Sequence, residues 1–223
     1  MRVWAHAAAD SMVAHSPLVP AIFLDKDGTL LEDVPYNVDP ARMQLAVGAD
    51  AALERLGRMN WPLVVISNQA GVAMGYFEVA ALMPVVDRLR AMFASCGAKL
   101  AGCYFCPHHP AGVRCDYAFA CECRKPRPGL LREAARELSI DLARSWMIGD
   151  ILDDIEAGRR SGCTTVLLDN GNETEWVAGH HRTPHHKAAS LDEASLIVER
   201  ACAKLHTHHD SAQLAMPAGI VIA

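Results

Sequence analysis

The sequence predicts an α/β fold: a doubly wound, Rossmann-like parallel sheet with helices on both faces and no large cap domain. Three observations predict it. Apolar runs recur at 21–25, 63–66, 99–105, 145–148 and 164–168, with segments of helical length and amphipathic pattern between them. Runs that stay apolar without alternation read as strands buried on both faces, the environment of a parallel sheet. Finally, Asp25, Ser67 and Asp150 each stand just past an apolar run. That places them on one rim, beyond the carboxyl ends of the strands, where sheets of this kind bind ligands.

In order along the chain, residues 1–19 show no strong period and read as a loosely ordered arm in which Met12 offers a second start. The core domain spans 20–204, and 205–223 form a His-rich, then apolar, tail. A polar loop over 32–40, with Tyr36 and Asn37, follows the first strand. A helix over 49–59 buries Leu53 and Leu56, and Gly71 to Gly75 make a flexible turn. The segment 77–94 has the helical apolar period, with Pro84 marking either a kink or a restart. Helices follow over 128–138, where Pro128 sits at the start, over 152–160, closed by Gly162, and over 191–204.

A length of 223 residues suits one α/β domain with a real core. The net charge of −5 and the lack of a basic run exclude a nucleic-acid binder. No apolar stretch approaches the roughly 20 residues of a membrane span, and the N-terminus lacks the apolar core of a secretory signal. The expectation is a cytoplasmic protein, monomeric or weakly oligomeric, acting on a small molecule. Five of its eight cysteines lie between 103 and 123, among histidines, which reads as a metal site rather than a disulfide framework.

The chemistry begins at Asp25-Lys-Asp27-Gly28-Thr29. In extended chain, side chains two apart point the same way, so Asp25 and Asp27 can share a site, and a cation relieves their repulsion. Ser67 and Asn68 can donate hydrogen bonds to phosphoryl oxygens. Arg124 and Lys125 precede a helix and can balance phosphate charge. Asp150 would complete an oxygen-ligand site for Mg2+, while Asp154 ligates through water or braces Lys125. The bland alternatives are turn residues and acids favoured by a helix N-terminus, but four such pieces in order outweigh them.

The stretch Cys106-Pro-His108-His109-Pro110 … Cys121-Glu-Cys123 contains a Cys-x-His … Cys-x-Cys set. One imidazole and three thiolates from Cys106, His108, Cys121 and Cys123 suit a closed, structural Zn2+. A loop without its own core gains folding energy from such a metal. Cys103 and Cys115 are rival ligands, Cys103 reading better as part of a strand, and His109 reads as hydrogen-bonded or exposed.

The four pieces around Asp25, Ser67, Lys125 and Asp150 resemble the motifs of the haloacid dehalogenase superfamily of phosphatases. With Cys-Pro-His-His-Pro … Cys-x-Cys-Arg-Lys-Pro-x-Pro-Gly, residues 21–170 are similar to its branch of heptose-bisphosphate and histidinol-phosphate phosphatases. The resemblance implies Asp25 as nucleophile and Asp27 as general acid and base. It implies Mg2+ held by Asp25, the Asp27 carbonyl and Asp150. Ser67, Asn68 and Lys125 would hold the transferring phosphate, with Arg124 on the rest of the substrate. The implied substrate is a small sugar phosphate, a heptose 1,7-bisphosphate first, losing its 7-phosphate, with histidinol phosphate or another small ester second.

Two features depart from that branch. Ile151 stands where its heptose phosphatases often carry Lys, and the run 169–176, with Trp176, has no counterpart, being either a substrate rim or a plain turn and cap. A zinc-stabilised binding protein without turnover is the competing class. A mutase or phosphotransferase would want a cap that the short loops do not supply. The histidines at 180, 181, 185, 186, 206, 208 and 209 read as solvated.

Overall fold

The computed structural model describes residues 17–213, with side chains to residue 203. Six strands form one parallel sheet: β1 (Ile22–Leu24), β2 (Leu63–Asn68), β3 (Leu100–Cys106), β4 (Trp146–Gly149), β5 (Thr164–Leu168) and β6 (His186–Ala188). Their order is β3-β2-β1-β4-β5-β6. The chain winds outward from β1 through β2 to β3, then crosses back to β4 and winds the other way. The order therefore reverses between β1 and β4, and side chains at the carboxyl ends of these two strands flank the crevice where such sheets bind ligands.

Strand alternation divides the core into two layers. Ile22, Leu24, Leu63 and Val65 face Leu53, Leu56, Val85, Leu89, Phe93, Leu191 and Val198, from α1 (Ala49–Arg58), α2 (Leu82–Ser95) and α5 (Leu191–Gln213). Ala21, Phe23, Val64 and Ile66 face Leu130, Leu131 and Ala134 of α3 (Gly129–Leu138) and Ala157 of α4 (Leu152–Ser161). Burial on both faces is why these strands read as unbroken apolar runs. Among the described residues, no insertion after β1 or β2 builds a separate cap.

Four details differ from the sequence expectation. Pro84 marks a restart: a short 3-10 turn over Val79–Ala81 precedes α2, and Pro84 is its third residue, where no helical N–H bond is lost. β6 was hidden because two of its three residues, His186 and Lys187, are exposed. His185 and His186 are exposed but also make contacts: Thr165 N donates to His185 Nδ1 at 3.0 Å, and His186 stacks on Trp146. α5 runs past Lys204 to Gln213, since no Gly or Pro interrupts it there. Of the expected N-terminal arm, residues 1–16 lie outside the described part. Val19 at its end is bridged to Ile140.

Candidate active site

At the carboxyl ends of β1, β2 and β4 a cavity of about 210 Å³ opens, lined among others by Asp25, Asp27, Ser67, Asn68, Lys125 and Asp150. A somewhat larger hollow at Asn60, Trp61 and Lys99 lies at the opposite end of the sheet and gathers no reactive groups. The sequence-predicted residues thus converge, except Arg124, whose guanidinium reaches the His108 carbonyl at 3.5 Å and is absent from the cavity wall.

Asp25 follows β1 and is almost fully buried. Lys125, also buried, donates to its Oδ1 and to the Ile66 carbonyl. Its Nζ lies 2.5 Å from Asp154 Oδ1, an ion pair without hydrogen-bond angles. Asp154 therefore braces Lys125, one of the two roles its position allowed. Burial opposes the charge on Lys125, but the Asp154 and Asp25 carboxylates outweigh it and hold the ammonium above its ordinary pKa. Burial raises the Asp154 pKa well above the carboxylate range.

Asp27 lies in the turn after β1, where Gly28 has φ +78°. A Cβ on Gly28 would stand 2.2 Å from Asp150 Oδ2, so glycine is required on both backbone and contact grounds. Asp27 Oδ1 accepts from Lys26 at 2.5 Å and its Oδ2 from Gln69 at 3.2 Å. Burial raises its pKa despite Lys26, although the side chain keeps 30 % of its surface open to the cavity. A carboxyl that holds its proton more readily than usual suits an acid facing a leaving group.

Ser67, buried at the end of β2, accepts from Gln69 Nε2 at 2.8 Å, leaving its hydroxyl hydrogen for a ligand. Asn68 lines the cavity and also bonds the chain at Lys125. Its Nδ2 donates to the Lys125 carbonyl at 3.1 Å, and its Oδ1 accepts from Lys125 N at 3.0 Å. It clamps the backbone that carries Lys125. Asp150 is pushed up to about 6 by burial and by the Asp25 charge. Its two oxygens accept from Thr29 at 2.9 Å and from Asn172 at 2.9 Å.

Asp25, Asp150 and Asp154 bring carboxylate oxygens within 4.8 Å of one another, all buried. Crowded, buried hard-oxygen donors of this kind fit a divalent cation such as Mg2+.

Beside the cavity, Cys106, His108, Cys121 and Cys123 also bring donor atoms within 4.8 Å. The sulfurs stand 3.1 to 3.5 Å apart, and His108 Nδ1 is 3.3 Å from Cys123 Sγ. Around Zn2+, with Zn–S about 2.3 Å, tetrahedral sulfurs would stand roughly 3.8 Å apart, so the set need open only slightly. Hydrogen bonding with Cys106 and Cys121 lowers Cys123 to about 5, while Cys106 and Cys121 are raised. A metal would replace the shared protons. Cys103 lies in β3, Cys115 is exposed, and His109 Nδ1 accepts from Ala111 N.

Sequence reasoning gave no role to Gln69, Thr29 or Asp33, and it reached Asn172 only as part of the run 169–176 offered as a substrate rim; Asn172 and Asp33 line the cavity. The position of Asn172 just beyond β5 puts it on the same rim.

A HAD-hydrolase-like family model matches residues 122–194. The D-glycero-β-D-manno-heptose-1,7-bisphosphate 7-phosphatase of Photorhabdus laumondii is 39 % identical over 150 residues, covering 67 % of this chain and 80 % of that protein. Its counterpart from Escherichia coli K12 is 38 % identical over 168 residues, covering 71 % and 88 %. The solved D,D-heptose 1,7-bisphosphate phosphatase of B. bronchiseptica, complexed with magnesium and phosphate, superposes with a TM-score of 0.66 at 28 % identity, covering 82 % of this chain and 99 % of that one. The chain belongs to the haloacid dehalogenase-like phosphatases. Within that class, its similarity is to the heptose-bisphosphate 7-phosphatases.

Proposed function

We propose that the protein is a Mg2+-dependent phosphomonoesterase that removes the 7-phosphate of D-glycero-β-D-manno-heptose 1,7-bisphosphate. The observation that carries the mechanism is the meeting of Asp25, Asp27, Ser67, Lys125 and Asp150 in one cavity. The named relatives supply the substrate. Asp25 attacks phosphorus in line and forms an aspartyl-phosphate, while Asp27 gives its proton to the leaving alkoxide. Asp27 then takes a proton from the water that releases phosphate. Ser67 and Lys125 hold the phosphoryl oxygens, and Asn68 keeps Lys125 in place. Asp25, the Asp27 carbonyl and Asp150 would hold Mg2+, which when bound neutralises phosphoryl charge and fixes the phosphate against the nucleophile.

Phosphate release from heptose 1,7-bisphosphate, histidinol phosphate and other small esters tests the substrate, with 31P NMR showing which phosphate leaves. Selective loss of the 7-phosphate supports the reading. Preference for another ester removes the substrate and leaves the mechanism.

In the same reading, Cys106, His108, Cys121 and Cys123 hold a structural Zn2+ that sets the approach of Lys125, two residues beyond Cys123. Metal analysis should find about one zinc per chain. Cys123→Ser should lose it, melt at lower temperature and turn over more slowly at saturating Mg2+. A variant that keeps both its melting temperature and its rate would contradict this role.

A further inference from the structure

The segment after β5 is built onto the active site. α4 begins with Ile151 as its N-cap, a residue with no side-chain acceptor. Glu173 supplies one from a distance: its Oε2 accepts from Leu152 N at 2.6 Å. Further along, Arg182 donates to Asp153 and Glu156 of α4, at 2.9 Å each. The segment is thereby pinned at two points to the helix that follows Asp150.

Pinned there, it presents two amides to the cavity. Asn172 Nδ2 donates to Asp150 Oδ2 at 2.9 Å, and a longer contact of 3.4 Å reaches the Gly28 carbonyl. Asn170 Nδ2 donates to the same carbonyl at 2.8 Å. Asp150 is nearly buried while both asparagines are exposed, so the turn covers the carboxylate from solvent. Gly28 carries the next peptide after the Asp27 carbonyl. One turn thus grips both Asp150 and the chain beside Asp27, neither of which it adjoins in sequence.

We infer that the Asn170–Asn172 turn is a clamp that presets the magnesium site, with Asn172 a positioning residue for Asp150. This rests on the reading of Asp25, the Asp27 carbonyl and Asp150 as that site. An amide donor leaves Asp150 Oδ2 a second lone pair for the cation and fixes which way that lone pair points. Groups that orient metal ligands in this way are typically worth about 10- to 100-fold in metal affinity.

The test is calorimetric titration of Mg2+ into the full-length, zinc-loaded protein, without substrate, for the wild type, Asn172→Leu and Asn170→Ala. The expected result is a Mg2+ dissociation constant raised about tenfold or more in Asn172→Leu and less in Asn170→Ala. The melting temperature of the Mg2+-free protein should fall too little to account for that change in affinity. Equal Mg2+ affinity in wild type and Asn172→Leu would overturn the inference while leaving the proposed function standing. So would a fall in Mg2+-free stability that accounts for the change in affinity. A wild type with no saturable Mg2+ binding would overturn the inference together with the reading beneath it.

Discussion

Asp25→Asn should abolish phosphate release, lowering kcat by roughly 10⁴-fold or more, the scale on which removal of a nucleophile acts. The amide matches the carboxylate in size but has no anionic oxygen to bond to phosphorus. Asp27→Asn should do less, about 10²- to 10⁴-fold, because it removes proton transfer and leaves the attack in place. The contrast between the two variants, read by phosphate release at saturating Mg2+, separates nucleophile from acid. The reverse order of severity would exchange the two roles. Structure supports the assignment. Asp25 is buried and bonded to Lys125, whereas Asp27 keeps an open face on the cavity and a raised pKa.

Lys125→Met should be the most destabilising single change in the site. Its ammonium lies between Asp25 and Asp154, and all three groups are buried. Breaking a buried pair by removing one partner costs about 3–5 kcal/mol. For a chain of this size that corresponds to a fall in Tm of about 6–20 °C. Burial already raises the Asp154 pKa and Lys125 opposes that rise, so the variant pushes the pKa further above its unfolded value. The folded variant then holds a proton that the unfolded chain releases, and its stability falls as pH rises above the ordinary carboxylate range. The deficit should be largest at neutral pH and shrink on acidification. Adding Asp154→Asn to Lys125→Met should recover part of the loss, and scanning calorimetry across pH reads all three effects. A Lys125→Met protein as stable as the wild type at neutral pH would show that the pair is not what holds this wall of the cavity. The same variant should also lose turnover, since it removes the cation nearest Asp25.

The parallel sheet was legible because its central strands are buried on both faces and carry nothing but apolar side chains before Asp25, Ser67 and Asp150. β6 was not, since an edge strand of three residues with two exposed side chains leaves no hydrophobic signature. Asp25, Asp27, Ser67, Lys125 and Asp150 could be found because each stands at a strand end or helix entrance. Spacing could also gather the four zinc-type ligands and set Cys115 aside only as a rival, leaving the choice to distance. What sequence could not supply was the direction of a side chain. Asn68 reads as a donor to phosphate, and the bonds of its amide to the Lys125 backbone add a second role that spacing does not show. Arg124 adjoins Lys125 in sequence but turns to the His108 carbonyl. Asn172 lies on a run with no counterpart in the resemblance and meets Asp150 across 22 positions of chain.

Phosphoryl transfer through Asp25 beside Mg2+ is tested by a crystal structure with Mg2+ and beryllium fluoride, which mimics a phosphoryl group on an aspartate. The expected result is beryllium bonded to Asp25, with Ser67 and Lys125 on its fluorides and Mg2+ among Asp25, the Asp27 carbonyl and Asp150. Beryllium on Asp27 instead, or Mg2+ seated away from Asp150, would contradict the account.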